Sequence, residues 1–283
     1  MPRRFALLVT ALAALGLSAP PALAADSPKT ETKTVGQVTA ELTYTQGDDL
    51  FEYRDVRIKI TRAGQVLLDA PVPAPCEEFC STIPAGAGEA DSLYLQDLDA
   101  DGEPEAWVDL YTGGAHCCTY SQLYSYKAAA NGYSRVKHFW GDPGYVLTDL
   151  NGDGTPEFRS ADASFSSAFT AYVLSGFPIQ IWRFAGGKFT DVTRGYRRLV
   201  KSDLRRHVKL YKQVRADEGG DVRGFLAAYA ADKYLLGQGD TAFDLIYAAY
   251  RRGELHPPFS DSSDSGKKYI SALRKFLRRT GYR

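Results

Sequence analysis

The chain has 283 residues, 34 basic and 34 acidic side chains, 44% hydrophobic composition and four cysteines. That length and apolar content suffice for a sizeable core, and the lack of a basic aromatic motif argues against a nucleic-acid partner. The neutrality conceals a polarity. Residues 25–190 hold 12 Lys and Arg against 23 Asp and Glu, a balance of −11, while residues 191–283 hold 20 against 11, a balance of +9. Two modules of opposite sign are therefore expected to attract one another.

The chain opens with Arg3 and Arg4, an apolar run from Phe5 to Leu17 and small residues at Ala22 and Ala24. This order reads as a secretory signal over 1–24 cleaved before Ala25, which makes the mature protein secreted or periplasmic and suggests a bacterial product. No later stretch approaches the roughly 20 apolar residues that a membrane span needs.

From 25 to 191 the pattern predicts an antiparallel β domain. The runs VTAELTYT, YRDVRIKIT, QVLLDAPV, AWVDLYT, SQLYSYK and FPIQIWRF are rich in β-branched and aromatic residues, with Gly, Asp, Asn and Pro clusters between them. Arg62-Ala63-Gly64-Gln65 and Ala185-Gly186-Gly187-Lys188 read as hairpin tips. The blades are expected to be propeller-like or sandwich-like. From 192 to 283 the period becomes helical, and a small all-α module follows. Val200, Leu204, Val208 and Tyr211 share one helical face; Phe225, Tyr229, Leu235 and Leu236 mark a second helix stopped by Gly237. Phe243, Ile246, Tyr247 and Tyr250 mark a third, ended by Gly253, and a fourth runs from about 264 to 280 before Gly281.

Two segments align without gaps, LQDLDADGEPEAWV from Leu95 and LTDLNGDGTPEFRS from Leu147. Oxygen-bearing side chains occupy the first, third and fifth loop positions: Asp97, Asp99 and Asp101, then Asp149, Asn151 and Asp153. Gly102 and Gly154 stand sixth, and Glu105 and Glu157 ninth. Calcium takes about six to eight hard oxygens, which a chain wrapping the ion supplies from alternate side chains. Glycine allows the sharp turn that brings a later backbone carbonyl inward, here that of Glu103 or Thr155. An EF-hand would place Glu twelfth between helices, but Val108 and Ser160 stand there and both flanks read as strand. The loops resemble those of FG-GAP and VCBS-type repeats, the units of integrin-like propellers. That resemblance implies two calcium sites, with Glu in place of the usual Asp at the ninth position. The first site, with four carboxylates to three, is expected to bind more tightly.

Cys76 and Cys80 precede the first loop, and Cys117 and Cys118 follow it. In an exported chain four cysteines read as two disulfides with three possible connectivities, each of Cys76 and Cys80 joining one vicinal cysteine in the favoured pairing. The alternative is a metal or redox centre that includes His116. No nucleophile, metalloprotease or phosphate-loop motif occurs. Asp109 and Asp162 are the carboxylates left for catalysis, and the aromatics Phe165, Phe169, Tyr172, Phe177 and Trp182 form either core or a ligand platform. Two readings follow: a non-catalytic calcium-binding scaffold that meets an extracellular protein or glycan, or an extracellular hydrolase acting on cell-wall or polysaccharide material.

Overall fold

A computed structural model describes residues 28–49, 51–75, 81–86, 90–114, 117–217, 220–256 and 265–283. The signal segment 1–24 lies outside them. The first sheet is a four-stranded antiparallel meander of β1 (Pro28–Val35), β2 (Val38–Gln46), β3 (Tyr53–Arg62) and β4 (Gln65–Pro71). The second places β7 (Glu105–Gly114) between β8 (Cys117–Lys127) on one side and the short β5 (Ile83–Pro84) and β6 (Leu93–Gln96) on the other; β9 (Gly132–Gly141) completes it. The third is a meander of β10 (Val146–Thr148), β11 (Glu157–Ala161), β12 (Ile179–Ala185) and β13 (Lys188–Asp191). Both predicted hairpin tips are present, and in each the two central residues take positive φ: 49° and 79° at Ala63 and Gly64, 59° and 82° at Gly186 and Gly187. That geometry matches the twist of the flanking strands.

The three sheets stack in a row, with the second buried on both faces. Alternation along β7 sends Ala106, Val108 and Leu110 toward Val38, Leu42, Ile58 and Ile60 of the first sheet. Trp107 points the other way, with Leu123 and Trp140, into a second core shared with Phe158 and Phe184 of the third sheet. Aromatic edges and faces fill this second core: Trp140 stacks on Phe158 at 5.2 Å and Trp107 meets Phe158 edge-on at 6.2 Å.

Four helices follow: α1 (Arg197–Ala216), α2 (Arg223–Leu235), α3 (Asp244–Arg251) and α4 (Gly266–Arg279). Gly237, Gly253 and Gly281 end helices with positive φ, as the sequence predicts. Phe165 and Phe169, between β11 and β12, join the helical core and pack edge-on against Phe276 at 4.8 and 5.2 Å. The segment between β11 and β12 thus mortars the helices to the third sheet, although the charge and period changes fall only after Asp191. Among the described residues no helix is long and apolar enough to cross a membrane.

Candidate metal centre

The first acidic loop joins β6 to β7. Leu98, fully buried, anchors it to the aromatic core, and Gly102 makes the sharp turn at φ 88°. Each carboxylate is held from one side only. Asp97 Oδ2 accepts the Gly102 N–H at 2.9 Å, Asp101 Oδ1 accepts the Glu103 N–H at 2.8 Å, and Glu105 Oε2 accepts the Leu98 N–H at 3.0 Å. Asp99 Oδ2 accepts the N–H of Gly186, from the tip of the β12–β13 hairpin, at 2.8 Å. The other oxygens, Oδ1 of Asp97 and Oδ1 of Asp99, are buried and have no hydrogen-bond partner.

Ligand oxygens of Asp97, Asp99 and Glu105 lie within 4.8 Å of one another. Burial pushes the Glu105 carboxyl up to about 7, and the charges of Asp99, Asp101 and Asp97 push the same way against the Leu98 hydrogen bond. A concentration of negative charge with bare, buried, hard oxygens fits a calcium ion. The Glu103 side chain turns outward to an ion pair with Arg62, which leaves its backbone carbonyl as the group of interest for the loop.

The second loop, between β10 and β11, has the same turn, with Gly154 at φ 90°, and the same brace, Leu150 N–H to Glu157 Oε2 at 3.0 Å. Its oxygens are otherwise engaged. Asp149 accepts the N–H groups of Asn151, Gly152 and Gly154 at 3.3, 2.7 and 2.9 Å, and these hydrogen bonds hold its carboxyl below the usual range. Asp153 accepts from the Thr155 hydroxyl and backbone and from the Asn151 amide. A guanidinium completes the set: Arg183 Nη2 lies 2.9 Å from Asp153 Oδ2 and 2.6 Å from Glu157 Oε1. The structure therefore gathers the predicted ligands of both loops, but only the first leaves buried carboxylate oxygens without a partner.

Two further polar centres lie away from the loops: the first escapes the motif search, and the second forms around Asp109, one of the carboxylates left for catalysis. Between α1 and α2, buried His207 hydrogen-bonds Asp232 at 2.7 Å through Nδ1, and its Nε2 lies 3.1 Å from Arg206. Asp203 accepts from Arg206 and from the backbone of Ile179, at 2.8 Å, so the cluster ties α1 to both α2 and β12. Ligand atoms of Asp203, His207 and Asp232 approach within 4.8 Å, yet the adjacent guanidinium argues against a cation there. The only sequence signal is Asp203 and His207 at i and i+4 on the face of Val200 and Tyr211.

Asp109 sits in a cavity of about 370 Å³ with Tyr94, Trp107, Trp140 and Tyr145. It accepts from the hydroxyls of Ser121 and of Tyr145, the latter at 2.6 Å, while Trp107 donates to Tyr145 at 2.9 Å and Trp140 to Ser121 at 2.6 Å. Burial pushes its carboxyl up to about 6. Asp162 is structural, capping a turn at Ser164 and accepting from Tyr282 at 2.8 Å. Cys118 is disulfide-bonded and no described cysteine is free. Cys76, Cys80, His116 and the Cys117 side chain lie outside the described residues.

Fold and site define a class: a row of antiparallel meanders carrying paired acidic loops, joined to a helical domain. Residues 200–281 of that domain match a family model described as the sll0997 C-terminal domain. The chain is similar to the probable thylakoid lumen protein sll0997 of Synechocystis sp., 29% identical over 204 residues that cover 67% of this chain and 60% of that protein. It is also similar to the uncharacterized protein y4bJ of Sinorhizobium fredii, 30% identical over 240 residues that cover 80% of this chain but 36% of the relative. The chain thus spans less than two thirds of either relative's length. No solved structure matches it.

Proposed function

We propose that this is an exported, non-catalytic scaffold whose β stack is stapled by calcium at the first acidic loop. The observation that carries the reading is the pair of buried carboxylate oxygens, Asp97 Oδ1 and Asp99 Oδ1, left without hydrogen bonds beside buried Glu105. Asp97, Asp99, Asp101 and Glu105 would hold the ion through side chains and Glu103 through its carbonyl. Bound there, calcium neutralises the mutual repulsion of these carboxylates and, through Asp99, fastens the first loop to the hairpin of the third sheet. The signal-like start supports export, and the lumenal name of the Synechocystis relative supports a compartment across a membrane. A stack of small antiparallel sheets is the kind of arrangement from which propeller blades are built, in keeping with the resemblance to FG-GAP and VCBS repeats.

The hydrolase reading has one favourable observation, Asp109 with a raised pKa in an aromatic cavity. Both its oxygens already accept hydroxyl hydrogens, however, and among the described residues no second carboxylate lines that cavity as glycoside hydrolysis requires. The test is thermal melting of the mature protein in calcium and in EDTA. A bound ion at about 100 times its Kd adds about 2.7 kcal/mol, or roughly 5–10 °C for a chain of this size. Identical melting in both buffers removes the calcium reading.

A further inference from the structure

The two acidic loops have nearly the same sequence, yet only one leaves buried oxygens unengaged. The strand registers show why. In the second sheet Ala106 pairs with Tyr124, and in the third Phe158 pairs with Trp182. Ala106 and Phe158 follow the equivalent residues Glu105 and Glu157, so Tyr124 and Trp182 are also equivalent. Continuing each register by one residue sets Ser125 across from Glu105 and Arg183 across from Glu157. One position in the neighbouring strand therefore distinguishes the loops: a buried serine at the first and an arginine at the second.

We propose that Arg183 is the resident cation of the second loop, so that the protein takes one calcium ion, at the first loop, and not two. The inference rests on the calcium reading above. Its geometry is that of a substitute ion. Arg183 Nη2 bridges Asp153 Oδ2 and Glu157 Oε1, the fifth- and ninth-position side chains that a metal would share. Glu157 is fully buried, and Arg183 is the positively charged group set against it there. Asn151, where the first loop has Asp99, lowers the charge of the second set by one and donates to Asp153 at 2.8 Å, a contact suited to a loop without an ion. The serine at 125 carries no charge, and the equivalent place beside Glu105 is left to an ion from solution.

The experiment titrates full-length mature protein with calcium chloride, using calorimetry and native mass spectrometry to count ions. Wild type is expected to bind one. Arg183→Ser, which copies the first unit, and Arg183→Gln, which keeps a polar side chain without the charge, are expected to bind two. Arg183→Lys retains a cation and is expected to bind one. Each variant's far-UV spectrum in calcium verifies folding, and the two neutral variants guard against misfolding of either. Two ions in wild type, or one in both neutral variants, overturns the inference while leaving calcium at the first loop intact. No ion in wild type with one in both neutral variants removes the first-loop reading and upholds the role of Arg183. No ion in any of the four overturns both.

Discussion

Gly186 donates its backbone N–H to Asp99 at 2.8 Å, while Arg183, three residues earlier on the same hairpin, holds Asp153 and Glu157. One hairpin therefore touches both acidic loops, although Asp99 and Gly186 are 87 residues apart in sequence. The first predictions concern this junction.

Asp99→Asn keeps an oxygen to accept from Gly186 but removes one of the charges that oppose ionisation of Glu105. In EDTA the variant is expected to melt above wild type, by about 1 kcal/mol, the scale of two like charges 4 Å apart in high dielectric. In calcium the order reverses, because the variant loses the increment from the ion. A variant that melts below wild type in both buffers contradicts the account of the loop as a charge cluster waiting for a cation.

Asp97→Ala and Asp149→Ala separate the loops. Asp149 receives three backbone N–H groups and Asp97 receives one, so without metal Asp149→Ala is the more damaging substitution. With calcium, Asp97→Ala removes a metal ligand as well, and its loss grows while that of Asp149→Ala does not. Urea melts of both variants with and without calcium check the crossover.

The buried acids set a pH dependence. Asp109 and Asp232 are each pushed up to about 6 by burial, and Glu105 to about 7. A carboxyl whose folded pKa exceeds its unfolded value binds protons preferentially in the native state. Its contribution is complete below the unfolded value near 4 and is lost as the pH rises through the folded one. The metal-free protein is therefore expected to be more stable at pH 5 than at pH 7.5. Asp109→Asn should flatten the part of that slope between pH 4 and 6, by at most about 3 kcal/mol. Calcium, which requires ionised Glu105, should stabilise less as the pH falls below about 7. Denaturation in EDTA and in calcium across that range measures both trends.

His207→Ala leaves Asp232 fully buried without its partner, and a loss of about 3–5 kcal/mol is expected. The double substitution His207→Ala with Asp232→Leu should recover part of that loss, because the buried Asp232 carboxylate left without its partner is gone. Additive losses in the double variant would show that the two side chains are not coupled.

Much of this fold was legible because its signals are local. The hairpin tips at Ala63-Gly64 and Gly186-Gly187, the helix ends at Gly237, Gly253 and Gly281, and the strand runs depend on neighbours in sequence. So did the acidic loops, whose ligand spacing is contained in nine residues. The partners that decide the loops' chemistry were not legible. Arg183 lies 26 residues beyond Glu157, and its effect depends on a strand pairing that no motif encodes. His207 and Asp232 were hidden for a related reason, since Asp203 and His207 interrupt the apolar stripe of α1 to meet the Ile179 backbone and the Asp232 carboxylate from other elements. The aromatic segment around Phe165 kept both its readings until the helices closed over it.

The two outer faces of the stack differ in kind. On the far side of the first sheet Lys59 pairs with Glu41 and Arg57 with Asp69, both in partly exposed ion pairs. On the far side of the third sheet, Arg159 and Ile179 border a cavity shared with Leu199 and Arg206 of α1. One end of the row is thus sealed by hydrated charge and the other by a folded domain. Among the described residues neither outer face presents a bare apolar layer for another copy to extend. Unlike a solenoid with an exposed end, this architecture carries its own protection against growing into a filament.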